Sequence, residues 1–148
     1  MILAPLLAAG VIGCGSAFGA PSGWPGNAPS TAKVGPLWFT AVRSYATGLP
    51  PAQPDGWFFA KTPTALQAGH TAVVKIDRRD LGWARLSYGT LDRVGALTFS
   101  SCARSVTSHW TGWAGGFVVR RAGCVHFTVA IDGAPARKVK IALGEACA

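Results

Sequence analysis

What this chain lacks constrains it most: over its 148 residues, no uninterrupted apolar stripe of helical period reaches ten residues. Short apolar runs come instead, roughly every ten residues, alternating with turn residues, and that rhythm predicts strands. The clearest run is Arg137–Leu143, with Val139, Ile141 and Leu143 on one side and Lys138 and Lys140 on the other. A period of two belongs to a strand with one buried face. Asp132-Gly133 ahead of it marks a hairpin, because such a turn needs φ > 0. The same reading places strands at Leu37–Arg43, Trp57–Lys61, Thr71–Asp77, Trp83–Tyr88, Val94–Cys102, Gly116–Arg121 and Cys124–Ile131, with a proline-rich loop over Ser44–Gly56. About seven or eight such strands predict an all-β fold, an antiparallel β-sandwich of immunoglobulin-like or jelly-roll-like form over residues 36–148. With 49% apolar and 14% charged residues the composition is far from that of a disordered chain, and the length suits one core.

The first charge is Lys33. Ile2–Gly13 is an apolar stretch of twelve residues, long enough for the apolar region of a secretory signal and short of the roughly 20 a spanning helix needs. Its end, Val11-Ile12-Gly13, followed by Cys14, resembles the lipobox of bacterial lipoproteins. There the cysteine thiol receives a diacylglyceryl group and the chain is cut just before it. The expectation is a signal over residues 1–13, a lipidated, Gly/Ser/Pro-rich tether over 14–35, and the sandwich beyond. Ordinary cleavage after Gly19 and an uncleaved anchor are the alternatives. All three put the folded part outside the cytoplasm.

Cys102, Cys124 and Cys147 are then left for disulfides, which an oxidising compartment favours. Strand parity sets Cys102 off the face of Leu97 and Phe99, and Cys124 off the face of Val125, Phe127 and Val129. That favours a Cys102–Cys124 bridge between neighbouring strands, with Cys147 as the alternative partner of Cys124. No CxxC or CxxH pair occurs, so neither a metal nor a cofactor is implied.

Catalytic patterns are sparse. No GxSxG elbow is present, and the carboxylates fall mostly in turns, with Asp77 and Asp80 bracketing a charged Arg78-Arg79 tip. An enzyme is therefore not expected; a hydrolytic site would need His109 or His126 beside an acidic group. Six tryptophans offer a different chemistry. Sugar-binding sandwiches present aromatic platforms, for which Trp110, Trp113 and Tyr88 are the candidates, although tryptophans in a small sandwich more often fill the core and line its edges. The net charge, 14 − 6 = +8, is dispersed over Arg78-Arg79, Arg120-Arg121, Arg137-Lys138 and Lys140. It suits anionic lipid headgroups or phosphate-bearing wall polymers close to a tethered domain. No nucleic-acid motif accompanies it, so nucleic acid is not an expected partner.

Over Trp57–Cys147 a pattern runs through Lys61-Thr62-Pro63, Ala68-Gly69, Phe99 with Cys102, Trp113-Ala114-Gly115-Gly116-Phe117, Cys124-Val125, Asp132-Gly133 and Leu143-Gly144. It resembles a group of small exported proteins common in actinobacteria, in which a W-x-G-G-aliphatic segment precedes an apolar strand opened by Cys. The resemblance implies an envelope location and an all-β fold, and no catalytic residue. Gly115-Gly116 also reads without any family, as a bulge or turn that lets backbone pack under an indole. The expectation is thus an exported, lipid-anchored β-sandwich with a binding or structural role at the cell envelope. Its partners would be the membrane, through the anchor, and an anionic lipid, a wall polymer or another envelope protein. A carbohydrate-binding module is the alternative.

Overall fold

The computed structural model describes residues 9–103 and 109–148. The fold is all-β, with antiparallel sheets packed together as in a β-sandwich and no α-helix among the described residues. In chain order the strands are β1 Ala9–Ile12, β2 Ala32–Val34, β3 Leu37–Phe39, β4 Phe58–Lys61, β5 Thr64–Gln67, β6 Thr71–Ile76, β7 Ala84–Tyr88, β8 Leu91–Val94, β9 Ala96–Ser100, β10 Trp110–Trp113, β11 Gly115–Val119, β12 Gly123–Ile131 and β13 Arg137–Leu143. They form a five-stranded sheet, β1-β9-β6-β12-β13, and two four-stranded sheets, β10-β5-β3-β2 and β4-β11-β7-β8.

Each strand expected from the sequence has a counterpart, but the one expected over Leu37–Arg43 stops at Phe39, where Ala41 at φ 59° leads into a 3-10 turn over Val42–Tyr45. The excess over seven or eight comes from β1, β2, β5, β8 and β10, each of three or four residues and too short to show a period. One pairing also departs from the antiparallel expectation: β1 runs parallel to β9. The pair β12–β13 is the hairpin the sequence announced, with φ of 50° at Asp132 and 75° at Gly133.

The two smaller sheets are halves of one bent layer. β4 pairs with β11 and β5 with β10, and the chain passes from one pair to the other through Thr62-Pro63 on one side and Ala114 on the other. At this bend Gly115 takes φ 153°, and a Cβ there would lie 2.3 Å from the Ser87 carbonyl oxygen. A Cβ on Gly116 would lie 2.0 Å from the Ala60 carbonyl oxygen. The glycine pair is therefore required by close backbone approach, the structural role read from the sequence.

Phe39, Phe99, Phe117 and Phe127 fill the space between the layers, each at most 1% exposed. Phe127 of the large sheet packs 5.4 Å from both Phe39 and Phe117, one from each smaller sheet. Burying such a ring contributes about 2–3 kcal/mol, so this cluster rather than any single bond holds the layers together.

Candidate functional site

The longest strand, β12, has a site-like cluster at each end. Where it finishes, the carboxylate of Asp132 accepts from the Thr71 backbone N–H at 2.8 Å and holds Nδ1 of His70 at 2.6 Å. The Thr71 bond, then the His70 bond, keeps the Asp132 carboxyl below its ordinary value of 3.8. Ser101 Oγ donates to the His70 carbonyl at 2.8 Å and fixes the turn. His70 and His109 share a cavity of about 510 Å³ with Trp110. Beside it opens a cleft of about 920 Å³, lined by Phe18, Trp24, His109 and Trp110 and bounded by Cys14 and Cys102.

Glycine sets the shape of that cleft. Phe18 bridges Gly112 of β10, and the Phe18 and Trp24 rings pack at a tilt of 58° with centroids 4.9 Å apart. A Cβ at Gly112 would sit 2.6 Å from the Trp24 ring and 2.8 Å from the Phe18 ring. The residue between Thr111 and Trp113 is bare so that two aromatics can lie on the strand. Trp110 packs on Trp38, centroids 4.5 Å apart, and the ammonium of Lys33 lies 4.2 Å over Trp38. Half-exposed aromatic faces of this kind bind flat or ring-shaped apolar surfaces, sugar rings included.

The platform proposed from sequence is only partly assembled. Trp110 is half-buried at the cleft. Trp113 and Tyr88 are fully buried and present no face to a ligand. Trp113 packs on Phe99 and donates its indole N–H to the Gly13 carbonyl at 3.0 Å. Tyr88 braces the bend: its hydroxyl donates to the Thr62 carbonyl at 2.8 Å and accepts from Thr64 Oγ1 at 2.9 Å. Burial pushes that phenol up to about 12. Tyr88 shares the side of Ala84 and Leu86, which is the buried one, whereas β10 is too short for alternation to place Trp113. The cleft residues missed by the sequence reading, Phe18 and Trp24, lie in the segment taken for a tether.

The remaining tryptophans are covered by cations. The guanidinium groups of Arg93 and Arg120 lie over the Trp57 ring at 5.1 and 4.7 Å, and Trp83 lies 4.0 Å under Arg121. Part of the basic excess is thus stacked on indoles rather than displayed.

The cysteine pairing corrects the sequence expectation. The disulfides are Cys14–Cys102 and Cys124–Cys147, the second being the alternative foreseen for Cys124. Cys102 and Cys124 cannot meet, because β6 separates β9 from β12 and the two cysteines sit at opposite ends of the sheet. A sulfur held in a disulfide carries no thioether, and in this structure Cys14 is bonded to Cys102. The segment around it is likewise no loose tether. β1 adds to the large sheet, Ile12 is 3% exposed, and Gly13, Cys14 and Phe18 each bind the body of the fold. Two disulfides are the mark of an oxidising, extracytoplasmic environment. No helix among the described residues is long and apolar enough to cross a membrane.

At the start of β12 lies the second cluster. Asp80, expected at a solvated tip, is 6% exposed. Asp77 caps its 3-10 turn by accepting from the Arg79 N–H at 3.0 Å, and this turns Asp80 inward. There it accepts from the backbone N–H of His126 at 2.8 Å, from Nδ1 of His126 at 2.9 Å and from Nε1 of Trp83 at 3.3 Å. The other ring nitrogen of His126 lies 3.8 Å from the Cys124 sulfur.

No protein-family model, no curated protein and no solved structure matches this chain. The functional reading rests on the geometry.

Proposed function

We propose that this chain is an exported, disulfide-stabilised β-sandwich with a binding role at the cell envelope, and that its ligand sits in the cleft beside Trp110. The convergence of Phe18, Trp24, His109 and Trp110 on one cleft, pinned by the Cys14–Cys102 bridge, carries this reading. Aromatic faces with an imidazole at the rim suit a glycan of the cell wall. The resemblance to small exported actinobacterial proteins supports the location. The oxidised, fully disulfide-bonded protein should co-sediment with isolated cell walls, and Trp110→Ala should weaken that at least roughly tenfold while the circular dichroism of the sandwich is unchanged. Equal binding by Trp110→Ala would remove the cleft from the reading.

A second reading concerns charge. Lys75, Thr128 and Lys138 are register partners across β6, β12 and β13, and Lys140 pairs with His126, so these lysines share the outer face of the large sheet. A face of this kind supports attraction to anionic headgroups or phosphate-bearing polymers, at about 1 kcal/mol per well-placed cation. Co-sedimentation with anionic vesicles that falls steeply with salt is the expected result, and salt-insensitive binding counts against it.

Lipidation of Cys14 and its bridge to Cys102 exclude each other. The bridge supports a protein that carries no lipid on Cys14. Mass spectrometry of the mature chain from cells decides this: a Cys14–Cys102 cross-linked peptide supports it, and a diacylglyceryl-modified Cys14 overturns it.

A further inference from the structure

We propose that Cys124–Cys147 is a thiol–disulfide exchange site, with Cys124 as the leaving sulfur and His126, positioned by Asp80, as the partner for its charge. The inference does not depend on the ligand of the cleft. It starts from β12 geometry. Cys124 and His126 are two apart and share a face, which brings Nε2 of the imidazole to 3.8 Å from Sγ. The ring is not free to turn away. Asp80 Oδ2 takes both its Nδ1–H and the His126 backbone N–H, while Oδ1 takes the Trp83 indole. The carboxylate is itself buried, with a side chain 8% exposed. Asp80 therefore fixes which nitrogen faces the sulfur, as a carboxylate does for imidazoles at many reactive centres.

An intact disulfide sulfur is a weak acceptor, whereas a thiolate is a strong one. When Nε2 also carries a proton, the ring interacts more strongly with Cys124 as it leaves than with Cys124 in the bridge, and only such a difference accelerates a step. The incoming thiolate, from a small thiol or an exported dithiol, attacks Sγ of Cys147. A bond forms between the two, the Cys124–Cys147 bond breaks, and its electron pair remains on Cys124 as a thiolate beside the protonated His126. The second thiol of a dithiol then attacks the mixed disulfide, leaving Cys147 reduced and the dithiol oxidised. Both cysteines are partly exposed, so the choice of Cys147 as the attacked sulfur rests on His126 standing beside Cys124 as the leaving one; Cys147 lies beyond the end of β13 and follows exposed Glu145 and Ala146. Opening the bridge leaves the β12–β13 ladder in place.

The test uses the full, oxidised chain in glutathione redox buffer, acid-quenched, alkylated and mapped by mass spectrometry, with Cys14–Cys102 as the reference bridge in the same molecule. The expected result is glutathione trapped on Cys147. His126→Gln and Asp80→Asn should each slow opening of Cys124–Cys147, and shift its equilibrium toward the disulfide, by roughly tenfold, with Cys14–Cys102 unaffected. Equal rates and equilibria in the wild type and His126→Gln, or glutathione trapped on Cys124, would overturn the proposal. Should both substitutions unfold the sandwich, Cys147→Ser leaves the three residues intact. Its Cys124 should then alkylate rapidly at about pH 6, where an ordinary thiol is almost wholly protonated. Alkylation there at the rate of a free thiol of ordinary reactivity would overturn the proposal equally.

Discussion

The two ends of β12 carry the same parts in different arrangements. Each has a disulfide and a His–Asp pair. At the finishing end Cys14–Cys102 spans 88 residues of sequence and fastens the N-terminal segment to β9's exit. Its imidazole, on His70, is held by an Asp132 that is itself half-exposed at the surface. At the starting end Cys124–Cys147 spans only 23 residues, and the imidazole lies between a buried carboxylate and the sulfur. The difference teaches that identical residue types become a brace or a reactive centre according to burial and to where the second ring nitrogen points.

The largest expected effect separates the two bridges by loop length. On loop-closure entropy, removing Cys14–Cys102 costs about 4.5 kcal/mol and removing Cys124–Cys147 about 3.5 kcal/mol. Thermal and urea unfolding of the paired variants Cys14→Ser/Cys102→Ser and Cys124→Ser/Cys147→Ser would measure this. The first should be the less stable. The reverse order would mean that the N-terminal segment contributes little beyond its own contacts.

The next effect tests how firmly that segment is seated against the bend. Gly13 is bonded by Trp113, one residue from the bend that Tyr88 braces. The Tyr88 phenol is raised from 10.0 to about 12 by burial, so the folded state favours the neutral form. A raised value gives stability that is full below pH 10 and is lost as pH rises through about 12. Two units correspond to about 3 kcal/mol over that window. Tyr88→Phe should be less stable at neutral pH, by about 1–3 kcal/mol for the stranded threonine hydroxyls, yet should show a shallower alkaline limb than the wild type. Parallel alkaline limbs would show that Tyr88 ionises without opening the bend.

How much of this was legible follows from the same contrast. β12 and β13 were plain because one face of each is buried and the alternation is long. Asp132-Gly133 and Gly115-Gly116 were legible because backbone at φ > 0 or in close contact admits few residues. β1 and β2 were not, since an apolar run followed by Gly, Ser and Pro looks like an export signal and its linker whether or not it pairs with a sheet. Cysteine parity correctly set Cys102 and Cys124 off the core face. Their partners depended on strand order, which local pattern does not contain. Asp80 in an Arg-Arg-Asp turn looks solvated, and only the Asp77 cap that tightens the turn hints that it points inward. A capping Asp three residues before another Asp is a weak signal, visible once the fold is known.

The two carboxylates sharpen the comparison most directly. Asp80→Asn removes a buried charge that accepts three hydrogen bonds and should cost about 1.5–3 kcal/mol at neutral pH. Asp132→Asn should cost less there, because its carboxylate is open to solvent. Its signature lies in acid. The Thr71 N–H and His70 hold the Asp132 carboxyl below 3.8, so the stability it supplies is present above that pH and is lost as pH falls through the lowered value. The acid limb of unfolding should therefore flatten below pH 3.8 in Asp132→Asn relative to the wild type. An unchanged limb would mean that the bonds of Asp132 to the Thr71 N–H and to His70 add nothing to the stability of the fold.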